Sequence, residues 1–296
     1  MNKMPTERRA AILSALVEGN SIASTCRMLG VNKVTVLRLL ADAGTMAQRF
    51  HDVTVRDLNT RRVQLDEIWS FCFCKAQNVT KENYSPERGD VWTWVSLDAD
   101  TKLVTNWLVG NRGGGCANEF VMDLAERLND RVQITSDGWE AYRTAIKKAF
   151  GTDVDYAMLI KEYSAPREGH ARYSPPICVA ARQTVITGNP DEAHINTSYV
   201  ERQNLTMRMG MRRFTRLTNG FSKLLDNHKH MIALYYFNYN FARRHQTIKT
   251  TPAIAAGVTN KAWTMVEFVE LMEREEAMIG GRISDYKPAK PGKNAI

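Results

Sequence analysis

The sequence predicts an α/β protein in which a mixed β-sheet is flanked by helices and preceded by a small all-α segment. Three observations carry this expectation. From residue 63 to about residue 160, β-branched and aromatic runs alternate with amphipathic helical ones, the pattern of a sheet covered by helices. Residues 5–44 show only helical periodicity, punctuated by Gly19, Gly30 and Gly44. The composition, 44% hydrophobic and 24% charged, is that of an ordinary globular chain. At 296 residues it has room for more than one domain.

The N-terminal elements follow in order. "TERRAAILSALVEGN" sets Ala11, Ile12, Leu16 and Val17 at helical spacing and ends at Gly19-Asn20. Ser21 is placed to cap a second helix, "IASTCRML", which breaks at Gly30. Asn32 then caps "VNKVTVLRLLADAG", which is expected to stop at Gly44. Two short helices around a glycine turn fit a helix-turn-helix. Cys26 falls where a small residue lets helices cross, Val31, Val36 and Leu39 fall on the buried face, and Lys33, Thr35 and Arg38 point outward. The same pattern fits a three-helix subdomain with no DNA role. The net charge of +8 favours an acidic partner, most simply nucleic acid.

The expected organisation is a helix-turn-helix domain over 1–46, a polar linker over 47–62, a sheet domain over 63–241 and a C-terminal tail over 242–296. Within the sheet domain, 63–74, 90–98 and 102–110 read as strands, the last two joined by an Asp-Ala-Asp-Thr turn. Residues 117–130 form an amphipathic helix, 131–139 a short strand, 140–150 a helix and 153–160 a strand. Residues 161–194, which hold four of the nine prolines, read as a loop insertion, with a hairpin at "ICVAARQTVITG". A helix opens near Ser198, and an aromatic-rich one covers 221–241. The order β-β-β-α-β-α-β-α is that of ribonuclease-H-like nucleases and integrases. Fold alone does not assign function.

Carboxylates on this scaffold point to a site. Asp66 lies mid-strand in "VQLDEIW", where aspartate is disfavoured. Asp137 ends the "VQITSD" strand, and strand ends are where open α/β sheets present functional groups. Glu201 stands at the head of a basic segment, since Arg202 to Thr250 contains ten Lys/Arg and one acid, Asp226. An acid near a helix start also simply favours the macrodipole, and Asp137 alone fits an Asp-Gly turn. Brought together, three carboxylates repel unless a divalent cation joins them. An all-oxygen set suits Mg²⁺ or Mn²⁺, and two such ions support phosphodiester cleavage or strand transfer. Glu67 is the rival to Asp66. Strand alternation places Glu67 with Val63, Leu65, Trp69 and Phe71, and Asp66 with Gln64, Ile68 and Ser70, the more polar face.

"LDEIWSF", "TSDGWEAY" and "YVERQNLTMRMGMRRFTRLTNGFSK", in this order over about 63–245, resemble the insertion-sequence-one family of DDE transposases. The resemblance implies a ribonuclease-H-like catalytic domain, metal-dependent DNA cleavage and strand transfer, and Asp66, Asp137 and Glu201 as catalytic, metal-binding triad. It implies double-stranded DNA, both element ends and target, as partner, and a homodimer or higher multimer. Asn204 and Arg208 share a helix face with Glu201, so both are expected to contact DNA, Arg208 at the scissile phosphate, with Arg212 and Arg213 on flanking phosphates. Trp139 is open to base stacking, whereas Trp69 reads as core. His228 and His245 are accessory candidates beside structural readings. Family members often carry a zinc-binding cysteine cluster ahead of the helix-turn-helix, and this chain has none.

Other classes are disfavoured. The five cysteines form no Cys-x-x-Cys pair, which argues against a disulfide framework or thiolate zinc site. No run approaches the roughly 20 apolar residues of a membrane span, so a cytoplasmic, nucleoid-associated protein of a bacterium or archaeon is expected. Two alternatives remain: a catalytically silent, transposase-derived DNA-binding regulator, and a metal-dependent ribonuclease-H-like nuclease.

Overall fold

The computed structural model describes residues 3–164, 178–215 and 218–285. Six strands make one sheet: β1 (Arg62–Cys72), β2 (Gly89–Asp98), β3 (Val104–Gly110), β4 (Gln133–Ser136), β5 (Asp155–Tyr163) and β6 (Cys178–Thr187). Their spatial order is β3-β2-β1-β4-β5-β6. β1, β2 and β3 form an antiparallel meander, β1–β4 and β4–β5 are parallel, and β6 returns antiparallel to β5. The β2–β3 turn closes as its sequence suggests, with Asp98 Oδ1 accepting from the backbone N–H groups of Asp100 and Thr101. This mixed sheet, flanked by helices, is ribonuclease-H-like.

Strand alternation divides the interior into two cores. Val63, Leu65 and Trp94 face α4 (Gly114–Ala125) and α5 (Glu140–Phe150), meeting Phe120, Leu124, Tyr142 and Ile146. Ile68, Val95, Leu97 and Trp107 face the other helices. These are α1 (Thr6–Val17), α3 (Lys33–Thr54), α6 (Ser198–Gly210), α7 (Leu225–Phe237) and α9 (Met265–Ile279), while α2 (Ile22–Leu29) packs at the margin. Pro252 and Ala253 of the short α8 (Pro252–Ala255) are also buried. Tyr235, Tyr236, Phe237 and Phe241 supply much of this second core, which explains the aromatic density of the α7 sequence.

The first three helices form as read: Ser21 and Asn32 cap α2 and α3 through their side chains, and Gly30 adopts the left-handed conformation between them. Ala11, however, is exposed, and Leu13 takes its place in the core.

Several expectations need correction. α3 does not stop at Gly44 but continues to Thr54, so the first half of the expected linker is helix. Gly44 is a crossing residue: a Cβ there would lie 2.4 Å from His230 Cα of α7. Ile12, Leu13, Val36 and Ala43 lie in one core with residues of α7 and α9. The region read as a C-terminal tail contains α9, which starts with a Thr264–Glu267 capping box. α9 anchors α1 through Arg9 with Glu273 (3.2 Å) and Glu276. In the 161–194 segment, the expected internal hairpin is instead one strand, β6, pairing with β5. The remainder of that segment, 165–177, lies outside the described residues.

Candidate active site

β1 and β4 pair in parallel through Gln64↔Thr135. Continuing this register by two residues brings Asp66 level with Asp137, just past the end of β4. Asp66 points to the α6 side. There Gln64 Oε1 accepts from the backbone N–H groups of Tyr199 (2.9 Å) and Val200 (3.0 Å), fixing the start of α6 over the strand. One turn on, Asn204 Nδ2 donates to Asp66 Oδ2 at 2.8 Å. Asp137 Oδ1 accepts from the Trp139 backbone N–H at 3.0 Å, the turn role that its sequence allowed, while Oδ2 faces Arg112 at 3.8 Å.

Asp66, Asp137 and Glu201 line one cleft of 390 Å³, with Lys161, Thr197 and Gly138 among its other walls. Glu201 accepts from Thr197 Oγ1 at 2.6 Å and is ion-paired with Lys161 of β5. Burial, then the neighbouring charges of Glu67 and Asp137, push the Asp66 carboxyl up to about 7, against the opposing hydrogen bond from Asn204.

Asp66, Glu67 and Asp137 each offer an oxygen within 4.8 Å of the others. Alternation alone suggested that only one of the adjacent acids could serve. The β1–β4 ladder ends at Gln64, so no strand stands between residues 66–67 and Asp137, and both carboxylates approach round the open edge. Glu67 is already committed: it accepts from Tyr142 Oη at 2.8 Å and from Arg112 Nε at 2.5 Å. Burial, with the charge of Asp137, raises its pKa. Arg112 is held between Trp92 and Trp139, 4.9 Å from each ring. Sequence reading missed Arg112 and Lys161. Arg112 sits in "GNRGGG", where nothing local marks it, and Lys161 shows its relevance only through the β4–β5 pairing. The oxygen donors fit a hard divalent cation, and no histidine or cysteine joins them among the described residues.

The remaining predicted residues scatter. Lys33, Arg212 and Arg213 converge on a separate 450 Å³ cavity between α2–α3 and the α6–α7 connection, whose lining contains no Asp or Glu. Thr35 is half-buried and Arg38 exposed on α3, and Arg208 is half-buried on α6. Trp139 packs against Trp94 and Tyr142, 5.1 and 5.7 Å between centroids, as well as over Arg112. His228 is fully buried between Ser70 Oγ (3.1 Å) and Ser222 Oγ (2.8 Å), where burial drives its pKa to about 3. His245 Nε2 meets the Tyr239 carbonyl at 3.1 Å. Neither histidine lines the cleft, so the accessory expectation gives way to structural roles.

No family model and no curated protein matches this chain. Its structural neighbours include transposases. The Mos1 strand transfer complex is similar at 14% identity and TM-score 0.24, over 53% of this chain and 59% of that one. The Mos1 transposase paired-end complex with left transposon end is similar at 13% and 0.24, over 53% and 60%. The piggyBac transposase synaptic complex with hairpin DNA is similar at 13% and 0.36, over 100% and 79%. The match thus spans about three fifths of the Mos1 chains. At these values the likeness carries no argument, and the chemistry of the site rests on its own residues.

Proposed function

We propose that this protein is a DNA transposase of the insertion-sequence-one type, cutting and joining DNA at Asp66, Asp137 and Glu201. The observation that carries the reading is that acids from three distant sequence positions line one cleft. Their sources are mid-β1, the end of β4 and the first turn of α6. Asp66, Asp137 and Glu201, the last once released from Lys161, would hold the divalent cations. Two Mg²⁺ or Mn²⁺ ions would supply the positive charge that activates a water or 3′-hydroxyl and stabilises the leaving oxygen. The protein's own part is positioning. Asn204 orients Asp66, the Trp139 N–H orients Asp137, and Arg112 offsets the charge of Glu67. Arg208, on the same helix as Glu201, contacts the DNA backbone. Lys33, Thr35 and Arg38 read element ends from α3, with Arg212 and Arg213 on neighbouring phosphates.

The Lys161–Glu201 pair favours a second reading, a silent DNA-binding regulator, because it neutralises one acid without a metal. Cleavage of labelled element-end duplexes in Mg²⁺ separates the two. The transposase reading expects specific nicking at the element boundary, abolished in Asp66→Asn and Glu201→Gln while end binding persists. End binding with no cleavage by the wild type would support the regulator.

A further inference from the structure

Trp69 reads from sequence as a core residue, yet Trp69, Phe71 and Phe221 belong to neither hydrophobic core and are each partly exposed. They stand in a row. Trp69 and Phe71 are 5.7 Å apart between centroids with planes at 40°, and Phe71 and Phe221 are 4.9 Å apart at 34°. The row is built by topology. Ser222 bridges to Cys72 at the end of β1, and its carbonyl accepts from the Phe73 N–H at 2.8 Å, bringing Phe221 alongside the strand.

The three rings wall a cleft of 550 Å³ whose charged lining residues are Lys75 and Arg213, with no acid. Lys75 Nζ lies 5.9 Å from the Trp69 ring and Lys223 Nζ 3.7 Å from that of Phe221, so cations flank both ends of the row. Arg213 donates to Ser222 Oγ at 2.8 Å and has no carboxylate partner among the described residues. Its burial lowers the guanidinium pKa to about 10, leaving it charged. Solvent-facing rings in sequence, edged by cations and free of acids, suit a ligand with flat apolar faces joined by anions. That describes unpaired nucleotides, whose bases stack while their phosphates meet Lys75, Arg213 and Lys223.

The geometry points to a stacking platform for unpaired DNA bases, formed by Trp69, Phe71 and Phe221 at the end of β1, separate from the carboxylate cleft. Its place suits the proposed reaction, on which only the identity of the strand rests. Trp69 follows Asp66 by three residues, about 10 Å along the strand at ~3.3 Å per residue, and alternation turns the two side chains to opposite faces, so a strand opened at the cleft reaches the rings by passing round the end of β1.

The test is anisotropy of labelled oligothymidylate, its abasic counterpart and a blunt duplex, in EDTA so that catalysis plays no part. Trp69→Leu and Phe221→Leu keep apolar volume but lose the π-face. Each should weaken oligothymidylate binding about fivefold or more, while Trp69→Phe stays within about twofold of wild type. The abasic strand should bind wild type as weakly as the leucine variants bind oligothymidylate. Exposed Lys75→Gln, which leaves the rings in place, should reduce the salt dependence of binding by about one phosphate contact. Equal binding of thymidylate by wild type and both leucine variants overturns the inference. So does equal wild-type affinity for the thymidylate and abasic strands. A shift in monomer–dimer equilibrium in the leucine variants without change in DNA binding would assign the rings to a second copy instead. None of these outcomes depends on whether the carboxylates cleave DNA.

Discussion

At the scale of single residues, Asp66 concentrates the account. A carboxyl raised from the ordinary value to about 7 binds its proton more tightly in the folded than in the unfolded state. The metal-free protein therefore loses stability through this group as pH rises from about 4 to about 7, and no further above that. The effect is on the order of 4 kcal/mol. Thermal melting in EDTA should show a fall over that window that is absent from Asp66→Asn. Mg²⁺ should raise the melting temperature more at pH 8 than at pH 5, because the ion must displace a proton at the lower pH. Asn204 is a positioning residue for the same group. Asn204→Ala should reduce cleavage by about 10–100-fold, the usual cost of losing a hydrogen bond behind a ligand, with DNA affinity unchanged. That Asp66 and Asp137 lie close together was legible from sequence because a mid-strand aspartate is disfavoured and strand ends present functional groups. The commitment of Glu67 to Tyr142 and Arg112 was not, because those partners lie 75 and 45 positions away along the chain.

At the scale of elements, glycine shows where sequence reading works and where it fails. Gly30 ends α2 in the left-handed conformation, as its place after an amphipathic run suggests. Gly44, in a similar context, sits inside α3 because α7 passes so close that no side chain fits. A local helix stop and a helix crossing look alike until the partner is known. On propensity alone Gly44→Ala gains about 1 kcal/mol. The crossing reverses the sign, and overpacking should destabilise the protein by about 1–3 kcal/mol in urea unfolding. A stabilised variant would show that the two helices can move apart. The strand pattern over 63–110 and the helix at 140–150 were readable because each is short, periodic and bounded by turns. β6 was hidden because it is an edge strand with mostly exposed side chains and little burial pattern.

At the scale of the whole molecule, the surprise is integration. The N-terminal helices, α7 and α9 share one core, and α9 reaches α1 through Arg9, Glu273 and Glu276. Removing residues 265–285 should therefore lower the melting temperature of the entire chain rather than trim a tail. Arg9→Ala should reproduce part of the loss, since it leaves two partly buried acids with only Lys3 and the Thr6 hydroxyl as partners across the α1–α9 contact. Integration also sets the 450 Å³ cavity lined by Lys33, Arg212, Arg213 and Lys223 at the seam between α2–α3 and the α6–α7 connection. Sequence periodicity cannot reveal such a seam, because its two sides are about 190 residues apart and only packing brings them together.

The central claim is that Asp66, Asp137 and Glu201 act as one metal-dependent unit on DNA. It is tested most directly by joining element-end DNA to a supercoiled target in Mg²⁺, with wild type and Asp137→Ala assayed side by side. The account predicts joined product from wild type, none in EDTA, and none from Asp137→Ala despite undiminished end binding. Joined product from Asp137→Ala at the wild-type level would contradict it.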